Sequence, residues 1–262
     1  MPNIEKHSPG SFCWIELHTT DQAAAKKFYG MLFGWQANDV PLGPGDFYTF
    51  FRLQDRDAAA ACTLRPEQRA QGVPPHWMLY VTVDSADQAA ARAAQLGGEA
   101  VAPPFDVGDS GRMAILQDPS GAAIAVWEPK NNHGTGIGGV DGTLCWADLS
   151  TSDRDRAGAF YSELFGWKIG KEDEDPAHAY WHLMNGEEFI GGIPPATHRQ
   201  PNVPSHWQVY FAVSDCDATA AQAKDLGAQF FVPPTTFEDV GRMAVLADPQ
   251  GAVFAIFKAS PR

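Results

Sequence analysis

The sequence has few basic residues and no long apolar run. Its 262 residues include 19 lysines and arginines against 32 aspartates and glutamates, so the formal net charge is −13. This balance argues against a nucleic-acid partner, because neutralising phosphates requires clustered lysine and arginine. No apolar segment is long enough to span a bilayer, and we therefore expect no membrane partner.

Cysteine is also scarce. The four cysteines, Cys13, Cys62, Cys145 and Cys216, include no Cys-x-x-Cys pair, and the first residues lack the basic-then-apolar pattern of a secretion signal. The cysteines therefore show no zinc-like clustering along the sequence, and we expect reduced thiols in the cytoplasm. Cys13 and Cys145 each precede a tryptophan and are interpreted as small buried hydrophobic residues.

What the sequence does contain is an internal repeat. The segment WIELHTTD, which begins at Trp14, returns 132 residues later as WADLSTSD, which begins at Trp146, and each is followed by a run ending in LFGW. A second pair, GRMAILQDPSGA from Gly111 and GRMAVLADPQGA from Gly241, lies 130 residues apart. The chain is therefore a tandem duplication, with predicted domains at 11–129 and 143–259 and a Gly- and Asn-rich linker at 130–142.

Each half predicts two strand-helix units. Alternating segments beginning at Phe12 and Leu144 run into an aspartate that can cap a helix, and the apolar residues that follow recur at helical spacing. Later in each half, strands beginning at His76 and His206 lead into alanine-rich helices, and further strands flank an Asp-Pro-x-Gly turn. The chain thus contains four modules of a strand, a helix and further strands.

These modules, the Leu-Phe-Gly-Trp helix endings and the closing Leu-x-Asp-Pro-x-Gly-Ala strands resemble the vicinal oxygen chelate superfamily. That superfamily contains glyoxalase I, bleomycin-resistance proteins and extradiol dioxygenases. The resemblance covers nearly the whole chain and implies an α+β fold. It consists of four βαβββ modules in two tandem glyoxalase-like domains, whose curved mixed sheets form cup-like half-barrels that hold the ligand. A resemblance of this kind implies fold more firmly than function.

The resemblance also implies three cup-facing positions at which metal-using members carry ligands. In this chain they fall on Trp14, Met78 and Ala125 in the first half and on Trp146, Gln208 and Ala255 in the second. Indole and methyl groups cannot bind a hard divalent ion, which needs several oxygen or nitrogen donors at one point. We therefore expect no metal and no other cofactor, with a divalent metal as the alternative.

Strand alternation also places a carboxylate on the predicted cup face of each half. Glu16 and Asp148 each follow the first-strand tryptophan by two residues, and His18 follows in the first half alone. One interpretation is that the two carboxylates form framework ion pairs with Arg112 and Arg242. The other is that they are catalytic acid-base groups and that the same two arginines hold an oxyanion of the substrate.

Further residues on the same face are candidates for ligand contact. The predicted ligand-binding residues are Trp14, Trp146, His76, His206, Met78, Gln208, Tyr80 and Tyr210. The alternatives are ordinary core packing for the aromatic residues and a backbone hydrogen bond at the strand entrance for the two histidines. The histidines outside these patterns are interpreted as surface residues: His133, His178, His182 and His198.

Three functions fit these patterns. The favoured one is metal-independent binding of a small aromatic or cationic molecule, as in the bleomycin-resistance members. The second is a glyoxalase-like lyase or isomerase, or an oxygenase, that depends on acid-base groups or on a divalent metal. The third is a degenerate scaffold or interaction protein. A monomer or weak dimer is expected, because the fused chain already supplies the two-fold assembly that shorter relatives reach by dimerising.

Overall fold

The computed structural model describes residues 3–171, 179–199 and 202–260. Within these ranges the first half contains eight strands and three helices. The strands are β1 (Phe12–Thr19), β2 (Gln36–Gly43), β3 (Asp46–Leu53), β4 (Arg56–Thr63), β5 (His76–Thr82), β6 (Glu99–Val107), β7 (Gly111–Gln117) and β8 (Ala123–Pro129). The helices are α1 (Gln22–Phe33), α2 (Pro66–Ala70) and α3 (Ala86–Gln95).

The second half repeats this arrangement. Its strands are β9 (Leu144–Ser150), β10 (Lys168–Lys171), β11 (Trp181–Asn185), β12 (Glu188–Ile193), β13 (His206–Ala212), β14 (Gln229–Phe237), β15 (Gly241–Ala247) and β16 (Val253–Ala259). Its α-helices are α4 (Arg154–Phe165) and α5 (Cys216–Asp225). No helix among the described residues is long and apolar enough to cross a membrane.

Each half forms one open, mixed sheet of eight strands. The strand order is β2-β3-β4-β1-β5-β8-β7-β6 in the first half and β10-β11-β12-β9-β13-β16-β15-β14 in the second. β1 pairs parallel with β4 and antiparallel with β5, so the two modules of one half join through their first strands. This topology confirms the predicted α+β fold, and it shows that modules pair within a half.

The first helix of each half forms for the reasons that the sequence indicates. Asp21 accepts a hydrogen bond from the backbone N–H of Ala24 at 2.9 Å, which caps α1, and Gly34 ends the helix with a φ of 71°. The buried residues of α1 recur at helical spacing and include Phe28 and Tyr29. α4 repeats this pattern, with Asp153 at its N-terminus.

The helix-bearing faces of the two sheets share one hydrophobic core. The rings of Phe33 and Phe211, one from each half, have centroids 4.9 Å apart. The hydroxyl of Tyr29 in α1 donates to Oδ2 of Asp248 in the opposite half at 3.0 Å. Because this core takes the helix side of both sheets, the cup faces lie on the outer sides and belong to separate sites.

Several strands are absent from the predicted pattern. β4 contains Ala58–Ala61, a buried run whose short side chains carry no strand signal of their own. β6 contains Pro103 and Pro104, lies at the sheet edge and pairs with an irregular register. Proline is tolerated there because an edge strand does not need every backbone N–H.

Candidate functional site

The first strands of the two modules form the floor of each cup. In the first cup, register places Trp14, Glu16 and His18 opposite Tyr80, Met78 and His76. In the second cup it places Trp146, Asp148 and Ser150 opposite Tyr210, Gln208 and His206. The predicted alternation is therefore confirmed, because each set lies on the face opposite the core residues of the same strand, such as Ile15 and Leu17.

In the second cup, Asp148 is a buried carboxylate surrounded by neutral donors. Trp146 Nε1 donates to Oδ1 at 3.0 Å, and the hydroxyl of Tyr210 donates to Oδ2 at 2.8 Å. The hydroxyl of Tyr180 also donates to Oδ1. Burial raises the pKa of Asp148 to about 6, although these three hydrogen bonds act in the opposite direction.

A glycine gives Tyr180 access to this carboxylate. A Cβ atom on Gly192 would lie 2.0 Å from the Tyr180 hydroxyl oxygen and 2.2 Å from Cζ. The Tyr180 ring thus passes directly over the backbone of β12 on its way to Asp148. The equivalent residue in the first half is Ala60, which pairs with Glu16 as Gly192 pairs with Asp148.

In the first cup, Glu16 has different neighbours. Its Oε1 lies 2.9 Å from His18 Nε2, a close contact that lacks the alignment of a directional hydrogen bond. Cys62 Sγ lies 3.5 Å from the same oxygen and 3.5 Å from His18 Nδ1. Burial alone would raise the pKa of Glu16, but the contact with His18, together with the Tyr48 hydroxyl and Cys62, outweighs burial and lowers it.

The two cups also differ in access. In the first, Trp14, Met113 and Trp127 are all less than a tenth exposed and pack in one apolar cluster. In the second, the equivalent residues Trp146, Met243 and Phe257 are half-buried. The second cup is therefore the more open of the two.

The two strand-entrance histidines bind the backbone, as one of the two interpretations predicts. Nδ1 of His76 donates to the carbonyl of Pro74 at 2.8 Å, and Nδ1 of His206 to that of Pro204 at 2.9 Å. His76 also stacks on His18, with ring centroids 4.7 Å apart. Burial, followed by the nearby His18, lowers the pKa of His76 to about 4, so this ring is neutral at pH 7.

The expected positions of Arg112 and Arg242 are wrong. Arg112 donates to both carboxylate oxygens of Asp87, at 2.7 and 2.9 Å, and Arg242 does the same to Asp217, at 2.8 and 2.7 Å. The physical reason is strand alternation. The side chain of Met113 lies on the cup face of β7, so that of Arg112 lies on the opposite face, beside the first turn of α3. Neither arginine pairs with the cup carboxylates or faces a cup.

Several cup residues were missed from the sequence, among them Cys62, Tyr48, Tyr180 and His182. Tyr48 and Tyr180 lie 132 residues apart, so the repeat offset would have found them as a pair. His182 was interpreted as a surface residue, but its ring lies 6.3 Å from that of Trp146 and 5.0 Å from that of Tyr180. Of the other histidines given that interpretation, His133 and His198 are exposed and His178 lies outside the described residues.

The superfamily's metal positions do not fit a metal in this chain. In the first cup they are Trp14, Met78 and Ala125, which have no suitable donor. In the second cup Trp146 and Ala255 likewise have none, so the Oε1 atom of Gln208 would be a single ligand. The sequence argument considered these positions alone. The structure brings together another set, because one ligand atom each from Glu16, His18 and Cys62 lies within 4.8 Å of the others.

Comparison with known proteins finds a matching protein family for each half of the chain. A family described as the Glyoxalase/Bleomycin resistance protein/Dioxygenase superfamily matches residues 11–126, and one described as a Glyoxalase-like domain matches residues 146–257. The chain belongs to this superfamily. The "Putative glyoxylase CFP32" of Mycobacterium tuberculosis is 40% identical over 265 residues and matches 100% of both chains. The "Anthracycline biosynthesis protein DnrV" of Streptomyces peucetius is 34% identical over 271 residues, which span 97% of this chain and 94% of that protein.

Solved structures of the superfamily share the fold at low identity. The Mn(II)-bound glyoxalase from Novosphingobium aromaticivorans superimposes with a TM-score of 0.66 at 14% identity, covering 96% of this chain and 83% of that one. The 2,3-dioxygenase LapB from Pseudomonas sp. KL28 gives a TM-score of 0.65 at 12% identity, covering 100% and 94%. Function in this superfamily must therefore be argued from the cup residues.

Proposed function

We propose that this superfamily member binds a small, flat organic molecule in its second cup, without a metal. The observation that carries the proposal is the buried carboxylate of Asp148 on the floor of a partly open cup with aromatic walls. Small-molecule sites commonly combine apolar walls with a few fixed polar groups. Here the walls include Trp146, His182 and Phe257, and the carboxylate supplies the polar group.

The chemistry of Asp148 narrows the kind of ligand. An ionised carboxylate offers about four acceptor positions, and three described donors contact this one: Trp146, Tyr180 and Tyr210. A ligand that carries an N–H, O–H or cationic group can use the remaining capacity, while its planar part stacks on the aromatic walls. The net charge of −13 adds a general preference for cations over anions.

The relatives guide the choice of probes. A protein that is 34% identical to this chain is named for anthracycline biosynthesis. Anthracyclines and other planar aromatic amines are therefore the first compounds to test. We also propose a cytoplasmic location, which suits the four free cysteines.

The test is equilibrium binding of these probes to chelator-treated protein, followed by thermal shift and by tryptophan fluorescence. We expect dissociation constants of about 1 µM or lower. Asp148→Asn should weaken binding about 10- to 100-fold, since a hydrogen bond to a charged group contributes about 1.5–3 kcal/mol. Glu16→Gln is the matched control in the first cup and should leave the affinity unchanged. The proposal fails if no probe stabilises the protein, or if both variants weaken binding equally.

A second candidate function is supported by the first cup. Glu16 and His18 are in contact at 2.9 Å, and such a pair can move a proton to or from a bound molecule. This chemistry suits a lyase or isomerase acting beside a carbonyl group, and a relative that is 40% identical carries the word glyoxylase in its name. Solvent deuterium should then enter the α-carbon of a carbonyl substrate, and His18→Gln should abolish its entry. Exchange that survives this substitution would exclude the first cup as its source.

A further inference from the structure

We propose that the first cup binds a first-row transition-metal ion, with Zn(II) as the reference ion, through Glu16, His18 and Cys62. The proposed site goes beyond the metal-free binding assigned to the second cup, and it is the alternative to the proton-transfer role of Glu16 and His18, because side chains that bind an ion do not act as a free acid-base pair. It also differs from the superfamily's own ligand positions. On β1 that position is Trp14, whereas the proposed ligands lie two and four residues further along the strand.

The donor types define the class of ion. A carboxylate oxygen, an imidazole nitrogen and a thiolate sulfur together match zinc, cobalt or nickel, whereas magnesium and calcium prefer oxygen donors alone. Glu16 and His18 are at least nine-tenths buried, and among the described residues Nε2 of His18 has no aligned hydrogen bond, although Glu16 Oε1 lies 2.9 Å away. The His18 ring is therefore buried without a directional bond at that atom, and Nδ1 is the nitrogen that faces Cys62. Three ligand-type side chains are therefore concentrated where the rest of the cup is apolar.

The distances agree with a tetrahedral site. Bond lengths of about 2.3 Å to sulfur and about 2.0–2.1 Å to nitrogen or oxygen place a tetrahedral sulfur donor about 3.6 Å from a nitrogen or oxygen donor. The Cys62 Sγ atom lies 3.5 Å from Glu16 Oε1 and 3.5 Å from His18 Nδ1. With Nδ1 as the His18 ligand, the two edges that meet at sulfur thus already have the required length. Oε1 of Glu16 lies 2.9 Å from the other ring nitrogen, Nε2, so this carboxylate must turn from Nε2 towards the ion to complete the site.

The backbone fixes these donors in place. Cys62 on β4 pairs directly with His18 on the neighbouring β1, and Glu16 is the next residue on the same face of β1. His76 stacks on the His18 ring from β5. Three protein donors leave a fourth position for water or a ligand, as in catalytic rather than structural zinc sites.

The second half provides an internal comparison. The equivalents of the three proposed ligands there are Asp148, Ser150 and Pro194, so one carboxylate remains and neither nitrogen nor sulfur is available. Such a set does not satisfy a borderline ion. The proposal therefore requires one ion per chain, bound in the first cup.

The test uses the full chain, stripped with a chelator and titrated anaerobically with Co(II). We expect one Co(II) per chain, the visible bands of tetrahedral cobalt, a near-ultraviolet thiolate-to-cobalt band, and displacement of cobalt by Zn(II). Cys62→Ser should lose the thiolate band, and His18→Asn should lose stoichiometric binding. Cys145→Ser is the matched thiol control and should retain both. Far-ultraviolet circular dichroism identifies variants that fail to fold, in which case Glu16→Gln supplies the second test and should weaken binding.

Three outcomes would overturn the proposal: no stoichiometric binding, two ions per chain, or a thiolate band that survives Cys62→Ser. The binding test of the second cup is made in the presence of chelator. Failure of the metal proposal and failure of the proposed function are therefore separate results.

Discussion

The two cups share a framework and differ in chemistry. Each has a tryptophan and a carboxylate on its first strand and two tyrosines nearby, in sets that the duplication relates: Trp14, Glu16, Tyr48 and Tyr80, and Trp146, Asp148, Tyr180 and Tyr210. Neutral donors surround Asp148, whereas an imidazole and a thiol contact Glu16. Burial raises the pKa of Asp148 and outweighs its three neutral donors, whereas at Glu16 burial is outweighed by His18, Tyr48 and Cys62 and the pKa is lowered. Side chains beside a conserved carboxylate can therefore diverge while the fold that holds it stays the same.

The largest expected effect comes from Gly192→Ala, which gives the second half the residue of the first. The added methyl group would displace the Tyr180 ring and remove its hydrogen bond to Asp148. Overpacking and a lost bond to a buried carboxylate together should lower the free energy of unfolding by about 3–5 kcal/mol, measured in urea.

The reciprocal change, Ala60→Gly, is the control for Gly192→Ala. It introduces no clash and should cost roughly 1 kcal/mol. In the Gly192→Ala protein the further change Tyr180→Ala should lower the free energy of unfolding by less than it does in the wild-type protein. The reason is that removing the Tyr180 ring also removes its clash with the added methyl group. Equal costs for the two reciprocal changes would contradict the role assigned to Gly192.

The next largest effect is the pH dependence of the free energy of unfolding that results from Asp148. Its pKa of about 6 in the folded protein exceeds the ordinary 3.8, so the folded state binds this proton more tightly than the unfolded state. The free energy of unfolding should therefore fall by about 2–3 kcal/mol as pH rises from about 4 to about 6, and this contribution should be constant above that. Urea unfolding across this range measures it.

Two variants separate this effect from other titrations. Asp148→Asn cannot ionise, so its pH profile should lack the fall that the wild-type protein shows. Glu16→Gln removes the carboxylate of the first cup and should retain the fall. An unchanged profile in Asp148→Asn would mean that another group is responsible.

The sequence predicts the floor of each cup and misses part of the walls. Trp14 and Glu16 are placed on one face by alternation alone, because β1 has a buried face on each side and its register with β5 is regular from Trp14 to His18. Cys62 was missed because β4 owes its strand structure to pairing with β1 and β3, and its alanine run has no periodic signal. His18, which pairs with Cys62 across the two strands, was therefore considered without Cys62.

The two arginines show a different limit of sequence reasoning. Arg112 repeats as Arg242, which suggested that both arginines lie on the cup face, beside the carboxylates or a bound oxyanion. The actual partner of Arg112, Asp87, lies at the start of α3, and only the packing of that helix on β7 brings the two together. A repeated charge thus indicates that a partner exists but does not identify it.

A smaller effect is expected from Trp127→Phe, which gives the first cup the residue of the second. Trp127 Nε1 donates to the carbonyl of Asn132 at 2.8 Å, and its equivalent Phe257 makes no such bond. Loss of this bond and of part of the ring should cost about 1–2 kcal/mol, measured by urea unfolding. The wider first cup should also admit a planar probe, so binding stoichiometry should rise from one to two per chain. The reverse change, Phe257→Trp, should weaken binding in the second cup. Unchanged stoichiometry in the first variant would show that Trp127 does not control access.

The smallest effect is expected where the two halves are alike. The Arg112–Asp87 and Arg242–Asp217 pairs have the same geometry, and the aspartate side chains are 60% and 63% exposed. Ion pairs in that environment contribute little, because water and salt screen the charges. Arg112→Ala and Arg242→Ala should therefore change the melting temperature only slightly and to the same extent, and should leave probe binding and cobalt binding intact. Loss of either binding activity in one variant alone would assign that arginine a role in its cup that the structure does not give it.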